Sequence, residues 1–199
     1  MKVAGIISEY NPFHNGHEYH INKTRQLSGA DAVVCIMSGN FVQRGHAAIA
    51  DKWVRAKMAL ECGADLVLEL PTYYALGSAE VFSMGAVFSL DALGCVNELW
   101  FGSEHGDIDA LTNAANVMSN EPPEVSAELR RLLDSGMAFP LARAKAYCEY
   151  AGLEDDLLSN PNNILGIEYI RAIKKIKSSI IPKTIKRHMV SYHSQLPID

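Results

Sequence analysis

The sequence predicts a doubly wound α/β domain followed by a helical segment. Three observations carry this. Continuous apolar runs recur at roughly 30-residue spacing, in "VAGIIS", "ADAVVCIM", "ADLVLELP" and "NELWFGSE". Each is followed by glycine or polar residues and then by a stretch with helical periodicity. After Asn120 the strand-like runs vanish and helical stretches succeed one another.

Val3 to Ser8 is apolar and β-branched and reads as a buried strand, and the continuous apolar run from Ala30 to Met37 belongs to a strand covered on both faces, as in parallel sheets. His17 to Leu27 reads as a helix, and Ala30 to Met37 as the second strand. "SGNFVQRGHAAIA" is loop-like. Asp51 can cap the helix "KWVRAKMALECG", which ends at Gly63. Pro71 stops the third strand; a helix from about Ser78 runs through Leu93 and closes at Gly94. The fourth strand ends at Gly102, and Asp107 opens a helix to about Asn120. Residues 1–120 are thus expected to form the α/β domain. Residues 121–199 are expected to form a helical segment over Glu124 to Asp134, Pro140 to Tyr150 and Asn162 to Ser178. "IIPKTIKRH" is a candidate return strand, and "YHSQLPID" reads as a loop. In a doubly wound sheet the site lies beyond the carboxyl ends of the strands. The segments that follow the strands should therefore meet in one crevice.

A net charge of −5 argues against a generally basic nucleic-acid-binding surface. The local exception runs from Arg171 to Arg187: Arg171, Lys174, Lys175, Lys177, Lys183, Lys186 and Arg187, with no acid among them. It reads either as a solvated helix face and loop or as a polyanion site. No apolar run approaches the roughly 20 residues of a membrane span, and no signal-peptide pattern opens the chain, so no membrane partner is expected. Cys35, Cys62, Cys95 and Cys148 are widely spaced with no CxxC pair; they read as reduced thiols of a cytoplasmic protein, Cys35 and Cys62 in its core.

The densest chemistry is "NPFHNGHEYH", with His14, His17 and His20 inside seven residues. Metal binding is one reading, weakened because no Cys or acid pair stands nearby and His20 falls about 60° further round the helix than His17. Surface or cap histidines, with Asn11 or Asn15 as the helix cap, are a second. The third takes the stretch whole. Asn11-Pro12-Phe13 turns the chain, Gly16 admits a ligand to the backbone, and a helix N-terminus with imidazoles beside it suits phosphate.

"HNGH" after a first strand resembles the HxGH signature of the nucleotidyltransferase superfamily, which works on the α-phosphate of ATP. The longer segments "EYNPFHNGHEYH", "MSGNFVQRG", "DKWVRAKMALECGADLVLELP", "FGSEHGD" and "PNNILGIEYI" resemble the bacterial tRNA(Met) cytidine acetate ligase family over nearly the whole chain. The resemblance implies a Rossmann-like fold and an enzyme that joins ATP and acetate into acetyl-adenylate. The acetyl group would then pass to N4 of the wobble cytidine of elongator tRNA(Met). Magnesium would accompany ATP through its phosphates, with no metal ligands from the protein. It implies that His14 and His17 act on the leaving pyrophosphate. The segment Ile7, Ser8, Glu9, Tyr10, Asn11, Pro12, Phe13, His14, Asn15, Gly16, His17, Glu18, Tyr19 and His20 would wrap the nucleotide. Gly102, Asn162 or Asn163, and Arg187 would complete the site. Family members continue after "YH" into a Ser/Thr-rich segment with an arginine and a further C-terminal region. Neither is present, so either a truncated chain or a shortened natural relative is expected, with tRNA binding dependent on the absent region. The rival readings are an adenylyltransferase acting on a small phosphorylated metabolite and a non-catalytic nucleotide- or RNA-binding module.

Outside this set, Arg44 between Gly39 and Gly45 offers a charge to carboxylate or phosphate. Lys52 stands in a first helical turn, against the helix dipole, and hints at an anion contact. Arg55 reads as helix surface and Met58 as core. Glu69 in an apolar strand either holds an arginine or ends the strand at the surface. Glu104 reads as a ribose or magnesium ligand or simply a loop carboxylate. Tyr10, Phe13, Tyr73, Tyr74 and Trp100 are candidates for base stacking, core or rim.

Overall fold

A computed structural model describes residues 1–187. Five strands, β1 (Val3–Ser8), β2 (Ala32–Ser38), β3 (Leu66–Leu70), β4 (Glu98–Ser103) and β5 (Ile181–Lys186), form one sheet in the order β3-β2-β1-β4-β5. Every pairing is parallel. The return strand read from "IIPKTIKRH" is therefore β5, running from Glu98↔Ile181 to Ser103↔Lys186. "YHSQLPID" lies outside the described residues.

The connections are α1 (Asn15–Ser28), α2 (Lys52–Glu61), α3 (Thr72–Ala75), α4 (Ala79–Ala92) and α5 (Ile108–Ser119), then α6 (Pro123–Asp134), α7 (Phe139–Ala151), α8 (Asp155–Ser159) and α9 (Pro161–Lys175). The short α3 and α8 are not visible in the periodicity; one turn is too short to establish a 3.6-residue pattern.

Strand residues alternate between two buried layers, as a period of two requires. Ile6, Val33, Cys35 and Met37 pack with Ile21 of α1 and Ala59 of α2. Val3, Ile7, Val34, Ile36, Leu99 and Phe101 pack on the other face with α4, α5 and α9. Both faces being covered is why the strands read as unbroken apolar runs. Burying one such aliphatic side chain contributes about 1.5–3 kcal/mol. That outweighs any single local propensity, which spans only about 1 kcal/mol. A polar network joins α7 to the entry of α6 and to α9. Tyr147 donates to Glu121 Oε2 at 2.5 Å, and the buried Glu168 pairs with Arg143 at 3.2 Å and Arg171 at 2.8 Å.

From β1 the chain steps outward to β2 and β3, then crosses over to β4 and β5. Strand order reverses between β1 and β4, which opens a crevice at their carboxyl ends.

Candidate nucleotide site

The first wall of the crevice is the start of α1. Sequence reading begins this helix at His17 with Asn11 or Asn15 as cap. The structure begins it at Asn15 with His14 as N-cap. Gly16 N donates to His14 Nδ1 at 3.1 Å, and His14 N donates to His17 Nδ1 at 3.3 Å, a reciprocal capping box made of two imidazoles. The rings stack with centroids 3.8 Å apart. A methyl at Gly16 would lie 2.9 Å from His14 Cε1, so here the glycine makes room for the folded-back imidazole. Asn15 is the exposed first residue of α1. Asn11 instead accepts from Ile49 N at 2.7 Å, tying this turn to the loop after β2.

An Nδ1 that accepts from a backbone amide carries no proton, so both rings are neutral with the proton on Nε2. Burial, aided by its neighbours His14, His20 and Arg187, pushes His17 down to about 3. Burial and Arg187 push His20 down to about 4, and the same two causes lower His14. These groups are fixed neutral donors at neutral pH. With His17 N also bonded to His14 O at 2.8 Å, most amides of this helix start are taken. The imidazoles, more than the bare helix end, are what α1 can offer a phosphate. Tyr10 backs His17 edge-on at 5.0 Å and is buried, its hydroxyl donating to Cys35 Sγ at 3.3 Å. Ile7 is core, Ser8, Glu9 and Phe13 are half-buried, and Pro12, Glu18 and Tyr19 are exposed.

The second wall joins β4, α9 and β5. Arg187 follows β5 and stands over Gly102, where a methyl would lie 3.2 Å from its Cγ. Arg187 Nη1 donates to Asn162 Oδ1 at 3.4 Å, while Asn162 Nδ2 donates to Glu104 Oε1 at 2.5 Å. Glu104 Oε2 accepts from Asn163 N at 3.0 Å, capping α9. Asn163 is fully buried and accepts from His105 N at 3.0 Å. Glu104 is thus a loop carboxylate with a structural partner. Arg187 depresses all three imidazoles, so the two walls face each other closely enough to interact. The rest of the basic run is differently placed. Arg171 pairs with Glu168, Lys174 with Asn116, and Lys175 with Glu80 at 3.6 Å.

The rim is the loop from Gly39 to Asp51, which carries the exposed Arg44. The anion that Lys52 meets is Glu69, at 2.6 Å. Glu69 therefore ends its strand at the surface and holds a lysine. Arg55 and Met58 exchange their expected places: Arg55 is fully buried and Met58 is 40% exposed. Cys62 is half-buried rather than core. Trp100 is buried with its indole N–H on Glu98, whereas Tyr73 is exposed. Among the described residues no group of three or more His, Cys, Asp and Glu could hold a metal ion. No helix among them is long and apolar enough to cross a membrane. A hollow lined by Lys2, Asp31 and Glu98 lies at the amino ends of the strands, away from the histidines.

A parallel sheet whose switch point joins an HxGH helix start to an arginine is the arrangement of a nucleotidyltransferase. The chain belongs to the HIGH nucleotidyl transferase family, whose model matches residues 1–197. It is 51% identical to the tRNA(Met) cytidine acetate ligase of Clostridium novyi over 97% of this chain and 49% of that protein. It is likewise 51% identical to that of Acetivibrio thermocellus, over 98% and 48%. A crystal structure of Thermotoga maritima TmcAL bound with alpha-thio ATP superposes with a TM-score of 0.87 at 44% identity, covering 94% of this chain and 47% of that one. Its apo form gives 0.88 at 42% identity, over 98% and 49%. The chain spans about half the length of the curated relatives it matches.

Proposed function

We propose that this chain carries the adenylate-forming site of an ATP-dependent tRNA(Met) cytidine acetate ligase. The reading is carried by the HxGH helix start, whose His14 and His17 lie within electrostatic reach of Arg187, the side chain that stands over Gly102. It is supported by the relatives named tRNA(Met) cytidine acetate ligase and by the neighbour bound with alpha-thio ATP.

In this reading the segment from Ile7 to His20 wraps ATP. An acetate oxygen attacks the α-phosphorus, the bond to the bridging oxygen of the β-phosphate breaks, and pyrophosphate leaves. Charge grows on the leaving group, and the Nε2–H of His14 and His17 and the guanidinium of Arg187 stabilise it without a proton transfer. His20 Nε2 is buried without a hydrogen-bond partner. That costs roughly 1–3 kcal/mol, which a polar ligand would relieve. Of the two asparagines, Asn162 is the ligand-facing one, since it stands beside Arg187 while Asn163 is buried under His105. Gly102 lets the nucleoside approach β4. Magnesium would be held by phosphates and water, because Glu104, the carboxylate of this wall, is engaged by α9. In the second step N4 of the wobble cytidine of elongator tRNA(Met) attacks the acetyl carbon and AMP leaves. Arg44 on the rim serves the acetate or RNA side. The setting is the cytoplasm; no disulfide joins the four cysteines.

The test is pyrophosphate release by this chain with ATP, magnesium and acetate, with and without tRNA, beside His17→Ala. Acetate-dependent release that is lost in the variant is the expected result. An AMP-containing dinucleotide formed with a phosphorylated acceptor, or ATP binding without any release, would overturn the reading.

A further inference from the structure

Arg55 is the most unusual charge in the molecule. It lies on α2, fully buried, with its direct partners all carbonyls and the carboxylates of Glu9, Asp51 and Glu69 acting on it only from further away. Removing a cation from water costs several kcal/mol unless its donors are met. Here they are met by backbone carbonyls. Nε donates to Ala50 O at 3.0 Å, and Nη1 to Glu9 O at 2.6 Å and Ser38 O at 3.1 Å. Nη2 donates to Gly39 O. Three of these acceptors sit at or just past the carboxyl ends of β1 and β2, at the crevice. The Glu9 side chain reinforces the same junction by accepting from Gln43 N at 2.6 Å.

The residue after Glu9 is Tyr10, which has φ +49° and whose ring backs His17. A side chain in the left-handed region is held there only when its neighbours over-determine it. Arg55 clamps one side of that residue and the Cys35 contact holds its ring.

We infer that Arg55 is a positioning residue: its fork on the carbonyls of Glu9, Ser38 and Gly39 sets the β1–α1 turn and thereby the orientation of the His14–His17 pair. The functional meaning rests on the nucleotide reading above; the geometric claim does not. A lysine could keep the charge and satisfy one carbonyl, but it lacks the planar fork. A displacement of about 1 Å at reacting groups can cost roughly a hundredfold.

The experiment compares Arg55→Lys, Arg55→Met and, as a destabilised control remote from the crevice, Leu132→Ala in α6. Two quantities are read at a temperature below each melting point. One is the rate of acetate-dependent pyrophosphate release; the other is the imidazole 15N spectrum of the free protein, which reports whether Nδ1 of His14 and His17 still accepts. The expected result is about tenfold or greater loss of that rate in both Arg55 variants, with little change in KM for ATP and with altered His14 and His17 signals. Leu132→Ala should match the parent in both. Parent-like imidazole spectra in a folded Arg55 variant would overturn the inference. So would failure of Arg55→Lys to fold, because the arginine would then serve the fold instead of the site. If the parent itself releases no pyrophosphate, the functional proposal fails, and the imidazole spectra still decide the role of Arg55.

Discussion

The two walls of the crevice are built on opposite principles. The wall at α1 consists of neutral groups held rigidly: two stacked imidazoles, each spending Nδ1 on a backbone amide. Behind them a buried arginine binds carbonyls. The wall at β4, α9 and β5 consists of charged and polar side chains joined in sequence, Glu104 to Asn162 to Arg187, the last link a long 3.4 Å. Arg187 is exposed. A fixed neutral donor is preorganised for charge that appears only in the transition state. An exposed guanidinium on a loose tether attracts a phosphate before any bond changes. In the proposed reaction the contrast assigns rate to the first wall and ATP capture to the second.

That division can be broken most directly at His17. His17→Ala should lower the rate of acetate-dependent pyrophosphate release by about 100- to 1000-fold, with little change in the KM for ATP. A variant that raised KM and kept kcat would reverse the assignment. Arg187→Met should do the opposite, raising KM for ATP by about tenfold or more. Arg187→Lys should recover part of the loss, because the charge returns without the fork.

Acid sharpens the contrast differently. The folded values of His17 and His20, about 3 and about 4, lie below the unfolded value of 6.5. Between those limits the unfolded chain binds protons that the folded chain does not. Stability is therefore complete above about pH 6.5 and is lost as pH falls, by at most about 1.4 kcal/mol per pH unit for each group. Urea midpoints between pH 4.5 and 6.5 should fall with acid in the parent and fall less steeply in His20→Gln. Equal slopes would mean the imidazoles are not held neutral. The smallest effect is expected at Glu104. Glu104→Gln weakens the cap of α9 by about 1 kcal/mol and frees Asn162, so a slightly lower melting temperature and a few-fold higher KM for ATP are expected. Titration calorimetry with alpha-thio ATP would measure the second directly.

The strand runs, the Asp51, Ser78 and Asp107 caps and the parallel architecture were legible in residue order, because burial on two faces and capping are short-range patterns. So were the histidines and their place after β1. Arg55 was not legible. A cation on a mostly polar helix resembles a surface residue, and only the convergence of carbonyls from β1, β2 and the α2 entry gives it a buried place. Met58 was misplaced as well: the buried stripe of α2 runs through Arg55 and Ala59, and Met58 falls at its edge, about 100° round the helix from Ala59. Lys52 hinted at an anion contact and was a candidate for the substrate; the anion beside it is Glu69, brought there by the way β3 lies beside the start of α2.

Residue order alone was enough for the alternation of strands and helices and for the cluster of imidazoles at a strand end, since each arises from neighbours within a few turns of chain. Tertiary structure decided the rest. His14 became the cap, both imidazoles became neutral donors, and Arg187 came opposite them from a strand more than 160 residues away. Protonation states and partners of this kind depend on desolvation and on groups that only the folded sheet brings together.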